Sequence, residues 1–358
     1  MIDVLIAFNI RILCYWIKMK SLVISLPFIL AATLAGAAEY KLTLHHFYAP
    51  SEPSHTDVLV PWARRVEELS GNQVKIRIVP AMKLGGHPSE LTTQVREGKK
   101  TDMIWVVNGY SGKEFPRTEV FQLPFVHTNN PVATNLAMRE MYETDLKEDY
   151  KGLKLLFLHS TQGFAFQSKG YAIRKPEDLR GKRARTPSRT GAWTLEALGA
   201  QPLSVPVKRI PQTLQRNVAT TVMLPFTANP LLKLHQHISH MTEGHDQTRF
   251  GSVVFQASMN LEKWNSLPPN VQEAFEKASD RDFLINAGKV WQNDEKRGLE
   301  LMEKFNKSHI VLTKEETEAF RVKLEPVVER WIEEVEKEGI DGRKLVNKAR
   351  KLIKKYDE

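Results

Sequence analysis

Histidines are the first residues to weigh for metal or proton chemistry. His235, His237, His240 and His245 fall within eleven residues. Imidazoles at such short spacing bind zinc when their side chains converge. Strand alternation puts His235 and His237 on one face and His240 on the other, and no acidic pair nearby completes a ligand set. No metal is expected, and the segment reads as a solvated or polar-packed hinge. A nucleophile is no better placed. His159 and Ser160 are adjacent, which by itself gives no base–nucleophile pair. Gly109-Tyr110-Ser111-Gly112 is a turn without the strand–turn–helix frame of a nucleophile elbow. No Gly-x-Ser-x-Gly, His-Glu-x-x-His or phosphate-loop motif occurs. An exported hydrolase is weighed and set aside on these grounds, and no cofactor is expected. Arg185 is a different kind of candidate. A guanidinium presents a rigid fork of donors that matches a carboxylate, and it stays charged. Its ordinary alternative is a surface arginine paired to Glu177 or Asp178.

The elements that would position such a group begin after residue 38. Lys18-Met19-Lys20 is a cationic patch, Ser21 to Leu34 an uncharged apolar run, and Ala35-Gly36-Ala37-Ala38 a set of small residues. This is the order of a secretory signal peptide, cleaved near Ala38, with an apolar run too short to span a bilayer. Residues 1–38 are therefore read as a leader and residues 1–18 as an over-extended start, with Met19 the better one. An uncleaved anchor that includes residues 4–17 is the competing reading, and Asp3 and Arg11 interrupt that run. The expected location is periplasmic. The single cysteine, Cys14, lies in the leader, so the remaining chain has no disulfide, thiol nucleophile or thiolate metal site. The net charge is +9; residues 1–38 hold three cations and one anion, which leaves +7 for the rest. The cations are scattered, without a stripe of interleaved aromatics, and an exported chain rarely meets nucleic acid, so that partner is discounted. The Lys/Glu alternation of the last 60 residues reads as a solvated helical face.

Tyr40 to Phe47 alternates as a strand. Thr56 to Ser70 has a helical apolar face stopped by Gly71. Val74 to Val79 alternates again, Pro88 to Gly98 is a second helix, and Asp102 to Val107 is an apolar strand. This β-α-β-α-β opening argues for a parallel sheet covered on both faces. Leu153 to Leu158 adds a strand. A second set follows: Arg180 to Pro187, a helix from Thr190 to Leu198, Pro202 to Pro206, a helix from Ile210 with Pro211 in its first turn, and Val218 to Leu224. Phe250 to Met259 reads as a strand that returns to the first sheet. The rest is mostly helical. Thr313 and Glu316 have capping-box spacing for a helix to about Lys337, with a kink or split at Pro326, and Arg343 to Tyr356 is the last helix. The fold class is α/β with two lobes. A cleft between them suits a ligand, because clefts form at domain interfaces and at the carboxyl ends of parallel strands.

Several segments then carry a resemblance. Pro61-Trp62-Ala63, Glu67-Glu68-Leu69-Ser70-Gly71, Pro80-Ala81-Met82-Lys83-Leu84-Gly85-Gly86, Gln94-Val95-Arg96-Glu97-Gly98, Gly109-Tyr110, Phe115-Pro116-Arg117 and Leu123-Pro124-Phe125 occur in that order. Asp178-Leu179-Arg180-Gly181-Lys182-Arg183-Ala184-Arg185, Leu198-Gly199-Ala200 and Leu267-Pro268-Pro269 follow. From about Tyr40 to Asp280 the chain resembles the DctP-type solute-binding proteins of TRAP (tripartite ATP-independent periplasmic) transporters. The resemblance implies a periplasmic binding protein fold of type II-like construction, with a cleft, a long helix and a helical C-terminal region. Residues 39–162 with about 250–290 would form lobe I, and residues 163–249 with about 291–358 lobe II. It implies a receptor, expected to be a monomer, that does no chemistry, takes a small carboxylate and docks on the membrane subunits of a TRAP permease. A receptor of another uptake or sensing system is the nearest rival.

By the same resemblance, Arg185 is the arginine that clamps the substrate carboxylate. Phe47 ends the first strand, and Trp105 and Asn108 end the third, where a cleft should open, although a strand tryptophan is as often core. Tyr110 offers a hydroxyl or packs. Phe226, where tryptophan is often found after proline, is read as an apolar wall. The chain departs from the pattern at Arg216-Asn217-Val218-Ala219-Thr220-Thr221, where a glycine and Asp-Gly are common. There the polar turn is expected to be lost and the strand to run on. No arginine stands near Ala165 and Phe166, and Thr227 replaces glutamate. Fewer charges in that lobe point to a ligand with one carboxylate and a less charged remainder, an aromatic or hydroxylated acid instead of a dicarboxylate. The same departures also fit a receptor that has lost transport function.

Overall fold

The computed structural model describes residues 39–358, so the leader reading falls outside the described residues. Strands β1 (Tyr40–His46), β2 (Val74–Val79) and β3 (Met103–Val107) alternate with helices α1 (Val60–Leu69) and α2 (Leu91–Glu97). A π-helical turn at Ser54–Leu59 leads into α1, which buries Trp62, Ala63 and Val66. Gly98 ends α2 with φ +65, and a Cβ there would stand 2.9 Å from the Asn260 side chain, so the stop needs glycine on both counts. Helix α3 (Pro131–Met141) and strand β4 (Leu153–Ser160) follow.

The chain then builds a second sheet from β5 (Ala165–Ser168), β6 (Arg183–Thr186), β7 (Gln201–Ser204), β8 (Thr221–Leu224) and β9 (His240–Glu243). Helices α4 (Arg189–Ala197) and α5 (Ile210–Gln215) are interleaved, with Pro211 in the first turn of α5. Strand β10 (Val254–Asn260) returns to the first sheet. Helices α6 (Pro269–Ala278) and α7 (Arg281–Lys304), strand β11 (Ser308–Val311), and helices α8 (Lys314–Glu336) and α9 (Gly342–Asp357) complete the chain.

The first sheet has the order β2-β1-β3-β10-β4 and the second β11-β9-β5-β8-β6-β7. Neither is wholly parallel. In the first, β1 pairs parallel with β2 and β3, but β10 runs antiparallel between β3 and β4, with Ala257 opposite both Trp105 and Phe157. A strand arriving from the other sheet enters from the cleft side, which reverses its direction. Every residue of β10 is buried.

Two expectations are corrected, and two further features bear on how the halves divide. The strand after α5 does not run on: Asn217 takes the left-handed conformation at φ +54 and keeps the turn, and β8 starts only at Thr221. Helix α8 is continuous through Pro326, whose position on an exposed face leaves the freed carbonyl to water. A boundary near residue 290 would cut α7, which is one unbroken helix packed on α3 and also on β11. Helix α9 lies against α3 and not with the second sheet. Lys348 reaches Asp145 at 2.6 Å and Lys355 reaches Glu140 at 3.0 Å.

The two halves are tied by buried charge. Glu119, in the turn Thr118–Gln122, accepts from Arg189 Nε at 2.7 Å and Nη2 at 2.5 Å, and from the Trp331 indole N–H at 3.3 Å. Arg189 opens α4 of the second half and Trp331 lies in α8.

Candidate ligand-binding cleft

A cavity opens where strands end. Tyr48 follows β1, Val107 and Tyr110 lie at and beyond the end of β3, and Thr161 follows β4. From the second sheet come Arg185 and Pro187 at the end of β6, and Pro225 and Thr227 beyond β8. Helix α7 supplies Trp291 and Asp294, three residues apart on one face, and Glu52 comes from the loop after β1. The space is about 50 Å³. That is smaller than the ~150 Å³ apolar cavity that takes benzene, so a ring-sized ligand enters only as the walls part.

Arg185 is 1% exposed. Its backbone pairs with Val222 of β8 and Leu203 of β7, and its Nε donates to the Val205 carbonyl at 3.0 Å. This pins the guanidinium against the sheet. Nη2 has no hydrogen-bond partner, and among the described residues no carboxylate stands within ion-pair distance. Asp178, its alternative partner by sequence, instead accepts the backbone N–H groups of Arg174 and Lys175. Burial draws the Arg185 pKa down, against the opposing pull of Tyr110 and Tyr48. An arginine nevertheless stays protonated. The cavity thus holds a desolvated cation with an unsatisfied donor, an arrangement that costs free energy until an anion arrives. Burial raises the Tyr110 hydroxyl pKa, and the nearby Arg185 charge counters it.

Of the residues proposed from sequence, Arg185 and Tyr110 line the cavity, and the other four do not. Phe47 is buried and stacks on Trp105 at 5.5 Å. Trp105 is buried in mid-strand, donating its indole N–H to His159 Nε2 at 2.9 Å and stacking on Phe255 at 4.6 Å. Asn108 donates to the Tyr150 hydroxyl at 2.8 Å. Phe226 lies under the Arg249 guanidinium at 4.5 Å. Alternation is the reason: each of these sits one residue from a side chain that does point in, except Trp105, which lies two residues deeper than Val107. The histidine segment is not a strand at His235, which sits in a helical turn and stacks on Phe305 at 4.2 Å; only His240 enters β9. Among the described residues no cluster of metal-binding side chains occurs.

Sequence reasoning missed Tyr48, Glu52, Phe255, Trp291 and Asp294. The signal for the last pair was their shared face on a long helix. Rings of Phe255 and Trp291 lie nearly parallel, 9° apart, and make a flat aromatic wall. His159 holds this wall from behind. Its Nδ1 stands 3.2 Å from the Trp291 indole nitrogen while Nε2 receives Trp105. A neutral imidazole has one lone pair, so only one indole donates to it at a time.

Burial pulls the His159 pKa to about 3. Its folded-state value lies below the unfolded one, so its contribution to stability is present above pH ~6.5 and lost as pH falls toward 3. His159→Phe is expected to remove about 1.4 kcal/mol per pH unit from the acid slope below pH 6.5. Denaturant unfolding of both proteins at pH 7, 6 and 5 checks this; parallel slopes would show that His159 titrates normally.

Comparison with known proteins agrees with this architecture. The sequence profile of the bacterial extracellular solute-binding proteins, family 7 (DctP), matches residues 44–334. A marine metagenome TRAP solute-binding protein, solved with metahydroxyphenylacetate and described as specific for aromatic acids, superposes with TM-score 0.85 at 29% identity. The match covers 89% of this chain and 100% of that one. A TRAP solute-binding protein from Rhodoferax ferrireducens, solved with copurified benzoate, gives TM-score 0.84 at 29% identity over 88% and 98%. A third, from Bordetella bronchiseptica with bound mandelate, matches at TM-score 0.81 and 23% identity over 88% and 99%, which bears on the fold alone. The profile match over most of the chain, on a two-lobed scaffold shared with these receptors, shows that the chain belongs to the bacterial extracellular solute-binding proteins of family 7, the DctP family of TRAP transport.

Proposed function

We propose that this protein is an extracytoplasmic receptor for a small aromatic monocarboxylic acid, which it delivers to the membrane subunits of a TRAP permease. The observation that carries the reading is Arg185: a buried guanidinium with no carboxylate of its own, aimed into a cavity between two sheets. The ring specificity rests on the flat wall of Phe255 and Trp291, with Phe164, Tyr48 and Tyr110 around it. The two relatives at 29% identity that hold aromatic acids point the same way. The receptor does no chemistry: it captures, closes and releases. Export through a leader cleaved near Ala38 places it in the periplasm, and no helix among the described residues is long and apolar enough to cross a membrane. It works as a monomer, with residues 39–162 and the β10 region around one half of the site and residues 163–249 around the other.

A melting-temperature screen against benzoates, phenylacetates, uronates, dicarboxylates and amines tests the proposal. One aromatic-acid class at about 100-fold excess over its dissociation constant is expected to add about 2.7 kcal/mol. Stabilisation by uronates or dicarboxylates and not by any aromatic acid would overturn the ligand class.

A further inference from the structure

We infer that the cleft selects acids carrying a hydrogen-bond donor, a hydroxyl on the ring, on the side away from the carboxylate, and that Asp294 with Glu52 receives it. The inference rests on the carboxylate reading above and adds the far end of the ligand to it.

The other buried carboxylates among the described residues are satisfied. Glu119 is paired to Arg189, Asp149 accepts two backbone N–H groups, and Glu243 and Glu295 share Arg249. Asp294 is the exception among the buried carboxylates. It is 8% exposed, lines the cavity and has no hydrogen-bond or ion-pair partner among the described residues. Arg297 moderates its charge from a distance without pairing to it. Glu52 lines the same cavity, equally without a side-chain partner, and each feels repulsion from a carboxylate nearby: Glu52 from Asp294, and Asp294 from Asp57. Arg185, 1% exposed with Nη2 unsatisfied, faces the same space. Tyr48, Arg185, Glu52 and Asp294 all line this one small volume.

A cavity with an unsatisfied donor and an unsatisfied acceptor is complementary to a molecule with both. A bare benzoate would satisfy Arg185 and bury Asp294 against ring carbon, which leaves a carboxylate desolvated without compensation. A ring hydroxyl donates to it. Burial already lifts Asp294 to about 6, as expected of a carboxyl kept from water and awaiting a donor.

Calorimetric titration of the mature protein and of Asp294→Ala and Asp294→Asn with benzoate, 3-hydroxybenzoate, 4-hydroxybenzoate and the corresponding methoxybenzoates tests the inference. Wild type is expected to favour at least one hydroxybenzoate over its methoxy ether, which cannot donate, by about tenfold or more. Asp294→Ala erases that preference and tightens benzoate binding, because no carboxylate is then left desolvated against the ring. Asp294→Asn, whose amide oxygen still accepts, keeps part of it. A wild type that binds hydroxy and methoxy acids alike, or an alanine variant with the preference intact, overturns the inference and leaves the carboxylate reading standing. If no aromatic acid binds wild type, both fall.

Discussion

Replacing Arg185 by methionine is expected to abolish acid binding and at the same time raise the melting temperature of the ligand-free protein. The two effects share one cause. The guanidinium is held out of water by its own sheet, with Nε on the Val205 carbonyl, the Tyr110 hydroxyl beside it, Nη2 unpartnered and, among the described residues, no counter-charge in ion-pair range. Such a group is a cost to the empty fold, and an apolar side chain of similar length removes it. The same exposed need is what binds: charge-assisted hydrogen bonds contribute about 1.5–3 kcal/mol each. Losing a two-pronged contact should therefore weaken binding by at least about 100-fold. Calorimetry of the ligand-free proteins and titration with aromatic acids read the two effects separately. Arg185→Lys keeps the charge but loses the fork and the Nε contact, so it should bind weakly. A methionine variant that binds as well as wild type would remove Arg185 from the site.

The largest loss of stability is expected from Arg249→Met. Arg249 is 3% exposed, donates to Glu243 at 2.5 Å and Glu295 at 3.0 Å, and covers the Phe226 ring. Glu295 also accepts the Thr227 backbone N–H at 2.8 Å, which fixes a residue of the cavity wall. Removing the cation leaves Glu243 with only His309, 2.8 Å from its Oε1, and leaves Glu295 a buried carboxylate held by backbone N–H alone. The expected cost is about 3–5 kcal/mol, a drop in melting temperature of roughly 5–8 °C for a chain of this size. The deficit should depend on pH. Burial already raises the Glu295 pKa to about 7, and loss of Arg249 raises it further. A carboxyl with a raised folded pKa destabilises as pH rises through that value, so the variant should recover toward pH 5 and be worst at pH 8. Unfolding at pH 5 and pH 8 checks the sign; a deficit independent of pH would mean that packing on Phe226, not charge, is what was lost.

Much of the fold was legible because its periods are clean. The opening strands, the stops at Gly71 and Gly98, the Thr313–Glu316 cap and the return of the chain near Phe250 all follow from local chemistry, and the structure has them. The antiparallel direction of β10 was not legible, since the direction of a returning strand depends on where the chain has been. The candidate cavity was legible to within one residue of its lining. Sequence pointed to the ends of β1, β3 and β8, and the cavity lies there, but Tyr48 turns in where Phe47 was chosen, and Pro225 and Thr227 where Phe226 was. Successive side chains of extended backbone point to opposite sides, and at a strand end both sides are apolar, so composition does not choose between them. Trp291 and Asp294 went unseen for another reason: the seam of α7 that meets the cleft is set by packing on α3 and on the second half. The Thr227 departure is also resolved in physical terms. Thr227 lines the cavity with its backbone N–H bound to Glu295, so the loss of a carboxylate from position 227 leaves an uncharged wall there.

Helix α7 has one further consequence. It is a single rod of 24 residues, about 36 Å long, and it sits so close to the second half that a side chain at Gly298 would strike the Phe226 carbonyl. Trp291 and Asp294, which line the cavity, lie near its middle. A tilt of only about 5° about that point moves each tip by about 1.5 Å over such a length. Were a ligand to part the walls by such a tilt, a change a few ångströms across would become a displacement of outer surfaces, open to a second protein that never touches the cargo.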